Sequence, residues 1–260
     1  MLAPILIYHA FYEGAAVPAG VPPSETRYYL PLPRLEEHLT FLKANGFQAP
    51  SLPEFLAGTF DHAVVLTFDD GHISNYESVF PALVSRGFRG TLFIVAGWIG
   101  HPDRISAPQL RELDRHGMAI GSHGLTHTPL TQLSPRELSV ELRDSRDILQ
   151  QTLGTPVVHL AIPGGFVNRN VLEAARDAGY ESVCTSDAGL ARPQQLLPRL
   201  SITAHTTFVD FQKMAWQHPA YLRKVRALQS ARKAIKSVIG VSSYEKIQHR
   251  LFRRDPILNR

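Results

Sequence analysis

Asp69 and Asp70 stand side by side after the run Val64-Val65-Leu66-Thr67-Phe68 and are followed by Gly71 and His72. A short apolar run with β-branched residues reads as a buried strand, and Asp-Asp-Gly reads as the turn that leaves it. Parallel α/β sheets carry their chemistry at the C-terminal ends of their strands. Two neighbouring carboxylates there suit a division of labour in which one binds a metal and the other moves a proton. A solvated turn uses the same residue types, so the pair alone does not decide. What decides is Ser122-His123-Gly124-Leu125-Thr126-His127, which follows a second short apolar stretch at residues 118–121. Two histidines at this spacing can grip one metal ion from one side of a helical turn. Asp70, His123 and His127 then make a two-His, one-carboxylate set with open coordination positions, the arrangement a hydrolytic metal needs. His72, touching the Asp-Asp-Gly turn, is expected to line the same site.

The elements that must position these groups can be read in order. Ile5-Leu6-Ile7-Tyr8 is a first strand ending at His9, and residues 13–31, rich in Pro, Gly and Ala, read as a loop. A helix opens at Pro33 and closes at Gly46; a short helical turn near residues 52–56 precedes the strand that ends at Phe68. Helix and strand then alternate: helix 76–86 bent at Pro81, strand 91–95, helix 106–117, strand 118–121. Ser134-Pro135-Arg136-Glu137 combines an N-cap, a proline at the first helical position and a capping-box acid, opening a helix that stops at Gly154. Strand 157–162, helix 169–178, strand 182–185, strand 200–203 and helix 208–216 complete the series. Such alternation implies a parallel sheet with right-handed crossovers. Neither Gly-x-Gly-x-x-Gly after a first strand nor a phosphate-loop motif is present, which removes the main support for a nucleotide fold. The expected fold class is α/β, a closed or nearly closed β/α barrel of about seven strands, preferred over a doubly wound sheet.

The 260 residues are 44% hydrophobic and 19% charged, enough for one well-cored domain with an appendage. Cys184 is the only cysteine, so intrachain disulfides and cysteine zinc clusters are excluded. The net charge of +4 hides a division: residues 213–260 carry 12 Lys and Arg against two acids, Glu245 and Asp255, while the first 212 residues are net acidic. We therefore divide the chain into a barrel over residues 1–216 and a basic helical extension over residues 217–260. In that extension, Ser242 and Glu245 form a further capping box before the apolar positions Tyr244, Ile247, Leu251 and Phe252. The extension suits a pair of helices docked on the barrel with a solvated basic face, the alternative being contact of that face with an anionic membrane surface; no nucleic acid is expected, because nothing resembles a reading motif. Residues 1–4 lack a basic region and a small-residue cleavage site, so the expectation is a cytoplasmic protein, free or peripheral at the inner membrane face.

Thr67-Phe68-Asp69-Asp70-Gly71 and Ser122-His123-Gly124-Leu125-Thr126-His127 resemble the first two motifs of the polysaccharide deacetylases, the NodB-homology family or carbohydrate esterase family 4. The likeness spans roughly residues 1–205. It implies a deformed β/α barrel and metal-dependent removal of N-acetyl groups from amino sugars. Carried over, Asp69 is the general base, and Asp70, His123 and His127 hold a divalent metal, with Zn²⁺ expected and Ni²⁺ or Co²⁺ as alternatives. Leu6-Ile7-Tyr8-His9 looks like the N-terminally permuted motif of a subgroup similar to the poly-N-acetylglucosamine deacetylases, which makes His9 the general acid; the rival is His205. The third motif departs from the family. Where Arg-x-Pro-Tyr-Gly is usual, this chain has Ala161-Ile162-Pro163-Gly164-Gly165. Gly164 and Gly165 can still offer backbone N–H groups to an oxyanion, but the sugar-stacking aromatic is lost, and so is the arginine that orients the base. Arg199, in Leu197-Pro198-Arg199-Leu200, is the candidate replacement. Asp187 in Thr185-Ser186-Asp187 is a minor candidate, without the tryptophan that usually follows.

These readings converge on a hydrolase that removes an N-acetyl or similar small N-acyl group from an amino sugar in a glycan or a lipid-linked sugar. The alternatives are an O-acetyl esterase and a non-catalytic glycan- or lipid-binding member of the same fold. The altered third motif favours the non-catalytic reading, and the carboxylate beside a metal triad opposes it.

Overall fold

The computed structural model describes residues 2–192 and 196–239, with the backbone alone for 232–239. The capping box and apolar face placed at residues 242–252 lie outside the described residues. The main sheet has eight parallel strands in the order β10-β1-β4-β5-β6-β7-β8-β9. They are β1 (Ile5–Tyr8), β4 (Val65–Asp69), β5 (Thr91–Ile94), β6 (Ala119–Ser122), β7 (His159–Ala161), β8 (Ser182–Cys184), β9 (Leu196–Leu197) and β10 (Leu200–Ser201). The two ends of this sheet, β9 and β10, are halves of one stretch separated only by Pro198 and Arg199. Leu197 pairs with Cys184 of β8, while Leu200 pairs with Leu6 of β1. One segment thus serves both edges and curls the sheet into a barrel. Hence the seventh strand expected at 200–203 is confined to Leu200–Ser201, and a further short strand, Leu196–Leu197, precedes it. Pro198 cannot donate to a ladder, and it stands where the segment changes partner.

Alternation along the strands divides the apolar residues between two cores. Ile5, Val65, Phe93, Ala161, Cys184 and Leu197 form one buried cluster, filling the barrel. Their neighbours Leu6, Leu66, Phe68, Leu92 and Ile94 belong to another, under the surrounding helices. At Gly121 of β6 a side-chain carbon would come within 2.5 Å of the Phe93 ring, so this glycine makes room for the barrel's largest apolar side chain.

The helices follow the sequence signals closely. They are α1 (Leu32–Ala44), α2 (Leu52–Ala57), α3 (Phe80–Val84), α4 (Ala107–Arg115), α5 (Pro135–Leu153), α6 (Arg169–Asp177), α7 (Phe208–Ala215) and α8 (Pro219–Ile239). At the N-terminus of α5 the Glu137 N–H donates to Ser134 Oγ, and Gly154, with φ 76°, ends it. Before α3, residues Asn75–Val79 form a π-helical turn where a bend at Pro81 was expected. Pro81 has no N–H to give, and the preceding turn widens to bond Phe80 N–H to the Asn75 carbonyl.

Residues 13–31 are not wholly loop. β2 (Ala10–Tyr12) and β3 (Tyr29–Pro31) pair in parallel as a separate two-stranded ribbon, with Ala10 opposite Tyr29. This ribbon folds the proline-rich segment back over the end of β1. Part of the basic extension is also docked: Leu222 of α8 is buried, and Arg226 Nε donates to the Ala188 carbonyl at 3.1 Å. Among the described residues, no helix is long and apolar enough to cross a membrane.

Candidate active site

The chemistry-bearing residues collect at the C-terminal ends of the strands. β1 and β4 run in register with Tyr8 opposite Phe68, so His9 and Asp69 sit abreast at the rim. Asp70 and His127 adopt left-handed backbone conformations, φ 72° and 66°, which disfavour side chains by roughly 1–3 kcal/mol each. Such strain persists only where surrounding contacts impose it. For the second loop those contacts come from Glu141 on α5. Its buried carboxylate accepts N–H bonds from Leu125 at 2.8 Å and Thr126 at 2.7 Å, and the Thr126 hydroxyl at 3.0 Å. The Gly97 N–H donates to the Leu125 carbonyl at 2.9 Å from the other side.

Within this frame Asp70, His123 and His127 converge, each offering one ligand atom within 4.8 Å of the others. Asp70 Oδ1 lies 3.4 Å from His123 Nε2 and 3.3 Å from His127 Nε2. His123 Nδ1 faces the Ala161 carbonyl at 2.9 Å, and a carbonyl only accepts, so the proton sits on Nδ1 and the Nε2 lone pair faces the cleft. Asp70 Oδ1 is buried and has no hydrogen-bond partner. A buried anionic oxygen left unsatisfied between two imidazole nitrogens fits a divalent cation, and the oxygen-and-nitrogen donor set suits Zn²⁺, Ni²⁺ or Co²⁺. Burial lowers the His123 imidazole below its usual range. At His127 burial acts the same way, but Asp70 outweighs it and raises the imidazole. Burial acts to raise the Asp70 carboxyl, and the surrounding histidines reverse this and hold it far below the usual range.

Asp69, 3% exposed, is held by a side chain 130 positions away. Arg199 NH1 donates to Asp69 Oδ1 and NH2 to Oδ2, both at 2.8 Å, in a two-pronged pair. The guanidinium is itself fully buried, donates to Thr67 Oγ1 and the Thr185 carbonyl at 3.1 Å each, and lies 5.2 Å above the Phe93 ring. Burial tends to raise the Asp69 carboxyl, yet Arg199, with His123 and His9 behind it, keeps the group below the ordinary carboxylate range. At neutral pH Asp69 is therefore an oriented carboxylate. Its Oδ2 lies 3.9 Å from His123 Nε2.

His9, His72 and Gly164 line the same cleft as the triad. The His9 ring packs on Tyr28 at 4.4 Å, and its buried Nδ1 has no hydrogen-bond partner. His72 Nδ1 accepts from the Ser74 N–H at 3.2 Å and is 2.8 Å from the Ser74 hydroxyl. Gly165 does not join the oxyanion donors. Its N–H donates to the Ile162 carbonyl at 3.0 Å, and its Cα faces Ser186, where a side-chain carbon would come within 2.6 Å. His205 is exposed and outside the cleft. Asp187 is also outside it; its carbonyl accepts the Arg199 N–H at 3.0 Å.

Among the cleft residues not singled out from the sequence are Tyr28, Tyr29, Trp98 and Arg104. The aromatics line a cleft whose Ala161-Ile162-Pro163-Gly164-Gly165 segment brings none of its own. Tyr28 and Tyr29 arrive on the 13–31 segment, where Pro and Gly conceal the short β3; Trp98 follows β5 and packs on His127 at 5.3 Å. A pair of tyrosines inside a proline-rich loop beside a catalytic strand was the available signal.

A sequence model of the family described as polysaccharide deacetylase matches residues 58–183. The Bacillus subtilis (strain 168) protein YxkH, whose name assigns it provisionally to the polysaccharide deacetylases, is 31% identical over 198 residues, covering 74% of this chain and 67% of its own length. The chain belongs to the polysaccharide deacetylase family. Among other polysaccharide deacetylases, the poly-β-1,6-N-acetyl-D-glucosamine N-deacetylase of Escherichia coli (strain K12) is 27% identical, with 68% of this chain and 34% of that protein covered. This chain thus spans only about a third of that relative. The polysaccharide deacetylase fold is matched by the Streptococcus pyogenes deacetylase PplD, solved with acetate, at a TM-score of 0.73 and 24% identity over 83% of this chain and 98% of that one.

Proposed function

We propose that this polysaccharide deacetylase is a metal-dependent hydrolase that removes an N-acetyl or similar small N-acyl group from an amino sugar in a glycan or a lipid-linked sugar. The observation that carries the reading is the buried, unpartnered Asp70 Oδ1 between His123 Nε2 and His127 Nε2, beside an Asp69 clamped by Arg199. The names of the relatives support the substrate class.

Asp70, His123 and His127 would hold the cation; bound there, a divalent ion supplies Lewis acidity, lowering the pKa of water and polarising the acyl oxygen. Asp69 takes the proton of the attacking water, and Arg199 fixes the carboxylate so that Oδ2 stays beside His123. The N–H of Gly164 donates to the oxyanion that develops on the acyl carbon. His9, abreast of Asp69 at the end of the neighbouring strand, gives a proton to the leaving amine, which departs as the acyl group is released as its acid. Tyr28 and Tyr29 flank the sugar. Arg199 is a positioning residue in this scheme, because it touches Asp69 and not the substrate. The basic charge of residues 213–260 supports a further part of the proposal, contact with an anionic membrane surface at its cytoplasmic side.

Incubating zinc-loaded protein with N-acetylated glucosamine oligosaccharides tests this reading. The expected result is release of acetate with one free amine per acetate, abolished by a chelator and restored by zinc, and reduced at least about a hundredfold in Asp69→Asn. Zinc-bound protein that releases no acyl group from any N-acylated amino sugar would contradict it.

A further inference from the structure

One cation in the cleft has no part in the scheme above. Arg104 lies between β5 and α4 and lines the cleft with Trp98, Tyr29 and His72. Its guanidinium carbon sits 4.5 Å from the centre of the Trp98 ring, and that indole packs on the metal-triad residue His127 at 5.3 Å. Only one aromatic side chain therefore separates Arg104 from the reacting centre.

The segment beneath it is tied to the Asp-Asp-Gly turn. Ile105 N–H donates to the Gly71 carbonyl at 3.0 Å, Ile73 N–H to the Asp103 carbonyl at 2.9 Å, and Arg104 N–H to the His101 carbonyl at 3.1 Å. A long cationic side chain on a surface ordinarily turns to water or to an acid. Arg104 is instead only partly exposed, and it forms no ion pair with any described residue, although Asp103 and Glu25 are nearby exposed carboxylates. The ring face offers the Arg104 N–H groups no oxygen to bind, and the guanidinium fork matches the paired oxygens of a carboxylate or phosphate. The other charges of the cleft are accounted for. Arg199 matches Asp69, and a divalent cation at the triad more than matches Asp70, so the loaded cleft is net positive even with Glu25 counted.

We propose that Arg104, held over the Trp98 ring, binds an anionic oxygen group, a carboxylate or a phosphate, carried by the substrate beside its N-acyl sugar. Arg104 is then a specificity-determining residue that selects acidic amino-sugar substrates over neutral ones. The inference rests on the proposed deacetylase reaction for what happens next, but the binding step stands apart from it and is tested apart.

Calorimetric titration of the zinc-loaded full chain with N-acetylglucosamine, N-acetylglucosamine 1-phosphate and N-acetylmuramic acid supplies that test. The neutral sugar is the reference, and the two acidic probes separate a phosphate from a carboxylate as the recognised group. The wild-type protein is expected to bind at least one acidic probe about tenfold more tightly than the neutral one, an advantage that shrinks as salt rises. In Arg104→Gln that advantage falls to about twofold or less, and Arg104→Lys, which keeps the charge without the fork, recovers only part of it. Equal wild-type affinities for all three probes would overturn the proposal. An advantage that survives Arg104→Gln would do the same, because it would mark direct capture of the anion by the metal. Thermal melts of the variants exclude unfolding as a cause. Acetate release is followed in the same samples. A preference without acetate from these probes or from the oligosaccharides leaves the anion site standing and removes the hydrolase reading, whereas acetate without a preference does the reverse.

Discussion

Arg199 supplies, from the far end of the barrel domain, the side chain that the Ala161-Ile162-Pro163-Gly164-Gly165 stretch lacks. The absence of an arginine there was legible, and so was a candidate replacement, because only a few arginines stand beside late strands. The two-pronged contact itself was not legible, since it joins positions 130 residues apart. A buried carboxylate that loses its only strong cation is costly, on the order of 3–5 kcal/mol. Arg199→Ala is therefore expected to lower both stability and turnover, while Arg199→Ala combined with Asp69→Asn recovers stability without recovering turnover. Denaturant melts beside acetate assays separate the two effects. The pH dependence follows with a definite sign. Asp69 sits below its unfolded-state pKa, so its contribution is present above the ordinary carboxylate range and is lost as pH falls through the lower folded value. The wild-type protein should accordingly lose stability on acidification more steeply than Asp69→Asn at pH below about 4. A Asp69→Asn protein with the same acid dependence as the wild type would remove Asp69 from this role.

At the level of elements, the strands that carry the site were readable from apolar runs that stop at Asp, His or Gly. β1, β4 and β6 each deliver their residues to one rim because they are parallel. The parts that escaped are shorter than any periodicity can reveal. β9 and β10 have two residues each, and β3 ends at a proline. The role of α5 was hidden for a different reason. Its capping box was plain, but nothing in the spacing says that the buried Glu141 reaches across to hold the His123–His127 loop. Supports of this kind typically govern metal affinity by 10–100-fold. Glu141→Ala should weaken zinc binding by about that much while the three ligating side chains remain intact. Competition with a zinc-sensing chelator measures this, and an unchanged zinc affinity would show that the loop holds its shape without Glu141.

For the molecule as a whole, the barrel is closed by a single stretch that changes partner around Pro198-Arg199, so the residue that closes the sheet also clamps Asp69. Closure of the sheet and the orientation of Asp69 are thereby coupled. The basic extension is joined to the same region: Gln229 on α8 accepts the Ala188 N–H and donates to the carbonyl of Ser186, a cleft residue. The charge division between body and extension was visible in composition, and helices docked on the barrel were expected; this particular contact was not visible, because it depends on one amide reaching a loop. The most direct test of the account is an anomalous-scattering map, recorded at the zinc absorption edge from crystals of zinc-loaded protein. The account predicts one peak at about 2.0–2.2 Å from an Asp70 carboxylate oxygen, His123 Nε2 and His127 Nε2, with Asp69 still paired to Arg199 beside it. A cleft without a peak, or zinc bound at other residues, would contradict it.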